Sequence, residues 1–269
     1  MNDITSTTAV SYSSPATQPG LWARLFPSLA FYPSIFGIVA DAARKAKAGK
    51  YDGAEWVHDS LRVVRLFERV GTRFRIEGME HFKNLHGPCV FVGNHMSTLE
   101  TFVLPCLIQP VKDVNFVVKK SLADYPVFKH VLHARNPIIV SRANPREDLA
   151  AVLEGGEERL RAGTSVIVFP QSTRSATFDE KLFNTIGVKL ARRAGVPVVP
   201  VALKTDAWGC GGLIKDFGPI DPAKTVHFRF GEPLSVTGNG KDEHARICAF
   251  IASAMKEWET EPADNGLIE

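Results

Sequence analysis

Phe91-Val92-Gly93-Asn94-His95-Met96-Ser97-Thr98-Leu99-Glu100 begins apolar, breaks at a glycine, and carries a histidine and a carboxylate five positions apart. On one straight helix that offset would leave the two side chains about 140° apart. They can meet only if the chain bends between them. A strand, a loop and a helix in that order supply the bend, with His95 in the loop and Glu100 in the first helical turn. A carboxylate against one ring nitrogen fixes the tautomer and leaves the other nitrogen free to take a proton. His95 and Glu100 are therefore candidates for a general base and the acid that orients it. The spacing alone leaves a plainer reading open, in which the two side chains never touch.

The rest of the chain alternates in the same way. Period-two patterning or short apolar runs predict strands at Thr72 to Glu77, Val90 to Val92, Val114 to Val118, Ile138 to Val140, Ser165 to Phe169, Val196 to Leu203 and Val226 to Phe230. Between and around them, helical spacing predicts helices at Trp56 to Val70, Leu99 to Leu107, Tyr125 to Leu132, Asn184 to Ala194 and Lys241 to Glu259. A further helix starts at Asn144, with Pro145 at its first position and Glu147 placed for a capping box. This is the pattern of an α/β fold, a mostly parallel sheet flanked by helices.

The 269 residues are 45% hydrophobic and 23% charged, an ordinary globular balance, and a net charge of +3 gives no global pull towards nucleic acid. The four cysteines are far apart and no C-x-x-C pair or H-E-x-x-H occurs, so neither a metal nor a redox motif is suggested. Residues 1–20, rich in Ser, Thr and Pro, are expected to be a disordered tail, and they lack the make-up of a secretory signal. Leu25 to Ala40 is the most apolar stretch, interrupted by Pro27 and Pro33 and followed by Arg44, Lys45, Lys47 and Lys50. It is too short to span a bilayer. Aromatic and aliphatic bulk beside cations makes 21–70 an N-terminal helical, membrane-associating segment, amphipathic and lying in the interface. A buried core helix with a basic end is the other reading. The body is expected over 71–260, followed by a short tail at 261–269.

Polar clusters follow the apolar strands. His95 and Glu100 come after the Val90 run, Arg142 after Ile138 to Val140, and Thr173 and Arg174 after Ser165 to Phe169. Lys119 and Lys120 follow Val114 to Val118. If these strands are parallel, the clusters share the carboxyl edge of one sheet, where ligands of such folds bind. Two guanidinium groups there suit a phosphate, whose oxygens match the planar fork. Solvated surface charge is the plain alternative, and the shared position after strands argues against it.

At these residues the sequence resembles the glycerophospholipid acyltransferase family, the type that makes phosphatidic acid from lysophosphatidic acid. Asn94 to Glu100 matches the family signature Asn-His-x-Ser-x-x-Asp except at the acid. Asn136 to Arg142 is similar to the second block, Phe169 to Ser175 to Phe-Pro-Glu-Gly-Thr-Arg-Ser, and Val196 to Val201 to a Val-Pro-Val-x-Pro-Val strand. Glu100 stands for Asp, Gln171 and Ser172 for Glu-Gly, and Asn136 for a Gly, which Asn can replace in the left-handed conformation.

The resemblance implies an O-acyltransferase with a His95–Glu100 dyad, no covalent intermediate, no metal and no cofactor. The donor is an acyl thioester, acyl-CoA or acyl-ACP, which makes acyl carrier protein a candidate partner beside the membrane lipid. Asn94, Ser97, Lys120, Arg142, Gln171, Ser172, Thr173 and Arg174 are implied on the acceptor side, with Arg142 and Arg174 on its phosphate and Ser97 supporting the loop. The enzyme is expected on the cytoplasmic face of a membrane, peripheral or monotopic. Three alternatives stay open: another lysolipid as acceptor (another head group or an acylated amino-acid lipid), a lipid or thioester hydrolase on the same scaffold, and a silent lipid-binding protein.

Overall fold

Apolar runs buried on both faces can pair only inside a covered sheet. In the computed structural model, which describes residues 4–16, 18–125, 128–212 and 215–261, they do so. The strands are β1 (Tyr12–Ser13), β2 (Phe74–Glu77), β3 (Val90–Gly93), β4 (Val114–Lys119), β5 (Ile138–Val140), β6 (Ser165–Val168), β7 (Val198–Lys204) and β8 (Val226–Phe230). Among the described residues they form one sheet in the order β1-β2-β8-β7-β3-β6-β4-β5. From β7 to β5 every neighbour is parallel, so the carboxyl ends of these five strands lie along one edge. β8 runs antiparallel to β7 and parallel to β2, and β1 closes the other side antiparallel to β2.

The helices are α1 (Leu21–Leu25), α2 (Pro27–Lys47), α3 (Gly53–Arg69), α4 (Met79–Lys83), α5 (Leu99–Ile108), α6 (Lys120–Ala123), α7 (Phe128–Arg135), α8 (Pro145–Arg161), α9 (Ile186–Ala194) and α10 (Lys241–Thr260). Alternation along β3 divides the core into two layers. Phe91 joins Phe31 of α2, Phe67 of α3 and Val103 of α5 on one side. Val90 and Val92 join Val152 of α8, Leu190 of α9 and Ile251 of α10 on the other. The expected α/β sheet covered by helices is thus the observed architecture.

Differences arise where local chemistry overrides the pattern. β7 starts at Val198, not Val196, because the Val196 N–H closes the end of α9 on the Ala191 carbonyl, past Gly195 at φ +68°. Asn144 does cap α8, accepting from the Arg146 N–H, but its own amide donates to Glu147, so no reciprocal capping box forms. The helix expected at Tyr125 to Leu132 is found at Phe128–Arg135, with His133 and Arg135 in the last turn, where cations suit the helix end.

The expected loose tail is instead tied to the body. Ile4 and Tyr12 are buried. The reason is Glu68 of α3, a nearly buried carboxylate that accepts from the hydroxyls of Tyr12 and Ser14 and from Arg65. Ser14 in turn accepts the Phe74 N–H at the start of β2. Burial, then Glu68, pushes the Tyr12 phenol up to about 12, which keeps it a donor. The C-terminal tail expected at 261–269 lies outside the described residues, apart from Glu261.

The apolar N-terminal stretch divides by face. α2 runs for 21 residues, with Pro27 at its start and Pro33 inside it. Phe31, Ile35, Ile38 and Val39 are core, so Phe31 and Ile35 are not available to a membrane. Leu29 (61% exposed) and Phe36 (52%) face outward, beside exposed Leu21, Trp22, Leu25 and Phe26. No helix among the described residues is long and apolar enough to cross a membrane.

Tyr12→Phe removes one donor from Glu68 and leaves the ring in place. The unfolding free energy from urea titration should fall by about 1.5–3 kcal/mol, the usual cost of losing a hydrogen bond to a charged group. An unchanged midpoint would mean that the tail is loose after all.

Candidate active site

β3 ends against β7 so closely that a Cβ on Gly93 would lie 2.9 Å from the Val201 carbonyl oxygen, which only glycine avoids. Asn94 extends this pairing with its side chain. Its Oδ1 accepts the Leu203 N–H at 2.9 Å and its Nδ2 donates to the Leu203 carbonyl at 2.7 Å. The amide acts as one more rung of the ladder just where the backbone turns away.

His95 follows, and the loop after β6 grips its backbone on both sides. The His95 N–H donates to Gln171 Oε1, and its carbonyl accepts the Ser175 N–H at 3.0 Å. The imidazole stacks on Phe169 with centroids 4.5 Å apart and planes 7° from parallel. Its Nδ1 lies 2.8 Å from Glu100 Oε1. The side chain remains 22% exposed.

Glu100, in the first turn of α5, is fully buried. Its Oε1 accepts the N–H groups of Met96 (2.7 Å) and Ser97 (2.9 Å) as well as facing His95. Its Oε2 accepts the Thr205 hydroxyl at 2.6 Å and lies 3.0 Å from the Ser97 hydroxyl. Burial is the largest influence on this carboxyl and opposes ionisation. The hydrogen bond and charge of His95, then Thr205 and the Ser97 N–H, outweigh it and hold the group below the ordinary carboxylate value. An ionised Glu100 favours the tautomer of the neutral ring that carries its proton on Nδ1, and in that tautomer the Nε2 lone pair is free. Such an imidazole can accept a proton from a hydroxyl, and the carboxylate can stabilise the resulting cation.

The other residues singled out from sequence fall into two groups. Asn94, Ser97 and Gln171 are buried beside the dyad, where Asn94 and Gln171 hold backbone groups and Ser97 accepts the Leu99 N–H. Arg174 stands in the same loop, with one guanidinium nitrogen on Thr98 Oγ1 and another on Asp216, and Ser172 and Thr173 are exposed there. Lys120 and Arg142 share the carboxyl edge but lie further out. They follow β4 and β5, two and three strands from β3, or roughly 10 and 14 Å at the usual strand spacing of about 4.8 Å. Arg142 adopts φ +61° because Asp148, near the start of α8, draws in the N–H groups of both Ser141 and Arg142. Asn136 takes the left-handed conformation that its place in the motif implied, at φ +47°. Thr205 and Phe169 were not singled out, though Thr205 lies two positions past the apolar run that ends at Leu203, as Arg142 lies two past Val140. Among the described residues no group of three or more His, Cys, Asp or Glu is placed to hold a metal ion.

A family model described as Acyltransferase matches residues 73–204. A 1-acyl-sn-glycerol-3-phosphate acyltransferase of Pseudomonas aeruginosa is 34% identical over 207 residues, covering 75% of this chain and 76% of that protein. The chloroplastic enzyme of the same name from Brassica napus is 32% identical over 128 residues, 48% of this chain and 36% of the other. The fold is that of the crystal structure of a 1-acyl-sn-glycerophosphate (LPA) acyltransferase from Thermotoga maritima, with a TM-score of 0.66 at 22% identity over 90% of this chain and 98% of that one. Likeness to the Pseudomonas protein across three quarters of both sequences goes beyond a shared architecture, and by it this chain belongs to the glycerophospholipid acyltransferase family and is an acyltransferase.

Proposed function

We propose that the chain moves a fatty acyl group from an acyl thioester, acyl-CoA or acyl-ACP, to the free hydroxyl of a lysophosphatidic acid-like lipid, giving phosphatidic acid. The observation that carries this reading is the His95–Glu100 contact at the carboxyl edge of the parallel strands. The names of the Pseudomonas and Brassica relatives, which specify 1-acyl-sn-glycerol-3-phosphate, support the choice of acceptor.

In this mechanism His95 Nε2 takes the acceptor's hydroxyl proton as the oxygen attacks the thioester carbonyl. The new C–O bond forms, the C–S bond breaks, and the imidazolium returns the proton to the departing thiolate. Glu100 keeps the ring in its tautomer and stabilises the cation. The acyl group passes directly to the acceptor. The burial of Ser97, and its engagement with Glu100 and Thr205, supports a route without a serine nucleophile. Arg174 binds the acceptor phosphate beside His95, so that binding becomes reactivity through proximity. Arg142 and Lys120 add positive charge on the outer part of the edge.

Acceptor and product are lipids, and the outward faces of α1 and α2 give the enzyme a way to rest on the cytoplasmic face of a membrane. Leu21, Trp22, Leu25, Phe26, Leu29 and Phe36 supply the apolar contact. The electrostatic share is smaller than the sequence implied. Arg44 pairs with Asp41 and Lys45 with Asp41 and Glu55, which leaves exposed Lys47 and Lys50 as the better candidates for anionic head groups.

His95→Ala should lower transfer from a labelled acyl thioester to lysophosphatidic acid by about 10²–10⁴-fold, the usual contribution of a general base. Glu100→Asp should retain more activity than Glu100→Gln, which loses the charge. Full turnover by folded His95→Ala protein would rule the mechanism out, and thioester loss that ignores the lysolipid would indicate a hydrolase.

The triple change Leu25→Ser, Phe26→Ser and Leu29→Ser alters only exposed positions. It should weaken liposome binding by an order of magnitude or more, since each buried large apolar side chain contributes about 1.5–3 kcal/mol. Deleting residues 1–40 would be a poor substitute, because it also strips Tyr12 and Phe31 from the core. Unaltered co-sedimentation of the triple variant would place the membrane contact elsewhere.

A further inference from the structure

A hydrogen bond at Nδ1 holds an imidazole by one edge and leaves its two faces to be fixed by something else. At His95 one face is taken by Phe169, the residue that follows β6, with 4.5 Å between centroids and 7° between planes. Parallel rings in contact lie about 3.5–4.0 Å apart. The two centroids are therefore offset, the arrangement aromatic pairs favour over a direct sandwich. Phe169 is itself held. Phe116 of β4 lies against it at 6.3 Å, and Trp56 of α3 against Phe116 at 5.8 Å. The Asn184 amide donates to the carbonyl of the next residue, Pro170, and Gln171 accepts the His95 N–H. One short stretch thus grips both the ring and the backbone of His95.

Two other histidines stack on aromatic rings and show what a stack does alone. His227 lies on Trp258 at 4.9 Å and His244 on Phe183 at 5.9 Å. Burial is the largest influence on each and favours the neutral ring. It pulls His227 down to about 3, with the cations of Lys204, Arg75 and Arg229 adding to it. Glu261 stands 3.9 Å from His227, beyond hydrogen-bond distance. At His95 the stack is joined by a buried carboxylate at 2.8 Å. A charge on that ring meets Glu100 at its edge and the π-face of Phe169 on its side.

We propose that Phe169 is a positioning residue for the base, its π-face stabilising the positive charge that His95 takes on as it removes the acceptor's proton. This rests on the reading of His95 as that base. The face of a phenyl ring is the negative part of its quadrupole, and a cation within about 6 Å of the centroid is attracted to it. The charge of an imidazolium is spread over the whole ring, so an offset stack still places much of it against the phenyl. A neutral imidazole gains far less from this attraction. The interaction therefore grows as the proton moves, and an interaction that strengthens towards the transition state accelerates the step.

The test is a fluorine series at position 169 in the full chain. Phenylalanines bearing one, two and three ring fluorines keep nearly the same shape and drain the π-face step by step. Single-turnover transfer from a labelled acyl thioester to lysophosphatidic acid, in neutral detergent micelles, should slow with each fluorine. The total loss should be about two- to fivefold, the rate equivalent of a cation–π contact at a partly exposed site. KM for donor and acceptor should show no such trend. Phe169→Leu, which keeps an apolar side chain and has no π-face, should be at least as slow as the trifluorinated protein. A flat series would overturn the proposal even with Phe169→Leu slow, since the ring would then only fill space. So would a rising series, the sign of an electron-poor ring stacking better on a neutral imidazole. Full turnover by His95→Ala would instead overturn the reading of the base itself, and the proposal with it.

Discussion

A carboxylate with no exposure to water must be surrounded by donors, and in this molecule Glu100 dictates where they come from. The loop after β3 gives the N–H groups of Met96 and Ser97 and the ring of His95. The end of β7 gives Thr205. Losing any one donor leaves the charge less compensated in a low-dielectric interior. The turn between β3 and α5, the orientation of the imidazole and the position of β7 are therefore set by one group. The loop after β6 completes the frame by holding the His95 backbone.

What could be read from sequence follows the range of each interaction. The strand-loop-helix bend that brings His95 to Glu100 is encoded within ten residues, but the spacing by itself leaves open whether the two side chains meet, and the polar clusters after the other strands are what favour the contact. The shared edge was legible too, because apolar runs alternating with helices force parallel strands. Strand order is not local. Nothing in Ile138 to Arg142 says that β5 ends the sheet, and the separation of Arg142 from the dyad follows from that order. The contact between Tyr12 and Glu68, 56 positions apart, was hidden for the same reason: a Ser-, Thr- and Pro-rich stretch reads as loose until its buried partner is known. Asp216 lies 42 positions from Arg174, in a stretch with no motif of its own.

α2 illustrates how composition and position can point to different conclusions while both hold. The stretch is apolar on nearly all sides, which fits burial as well as a lipid surface. The fold resolves this by face. Phe31 and Ile35 anchor the helix to the sheet, while Leu29 and Phe36 remain outside. The helix therefore belongs to the same core as the strands that carry the site, and Phe217 connects its outer side to the segment that bears Asp216.

The side-chain rung formed by Asn94 has a consequence for how the molecule comes apart. Its partner, Leu203, lies in β7, between β3 and β8 in the sheet interior. Segments that open cheaply in native proteins are those with few buried contacts and exposed backbone bonds, and this loop has neither property. Although it is an irregular stretch at a ligand-facing edge, it opens only when the central strands part. The amide protons of Met96, Ser97 and Leu203 thus belong with the slowest-exchanging set, and the dyad is dismantled by global unfolding and not by fraying.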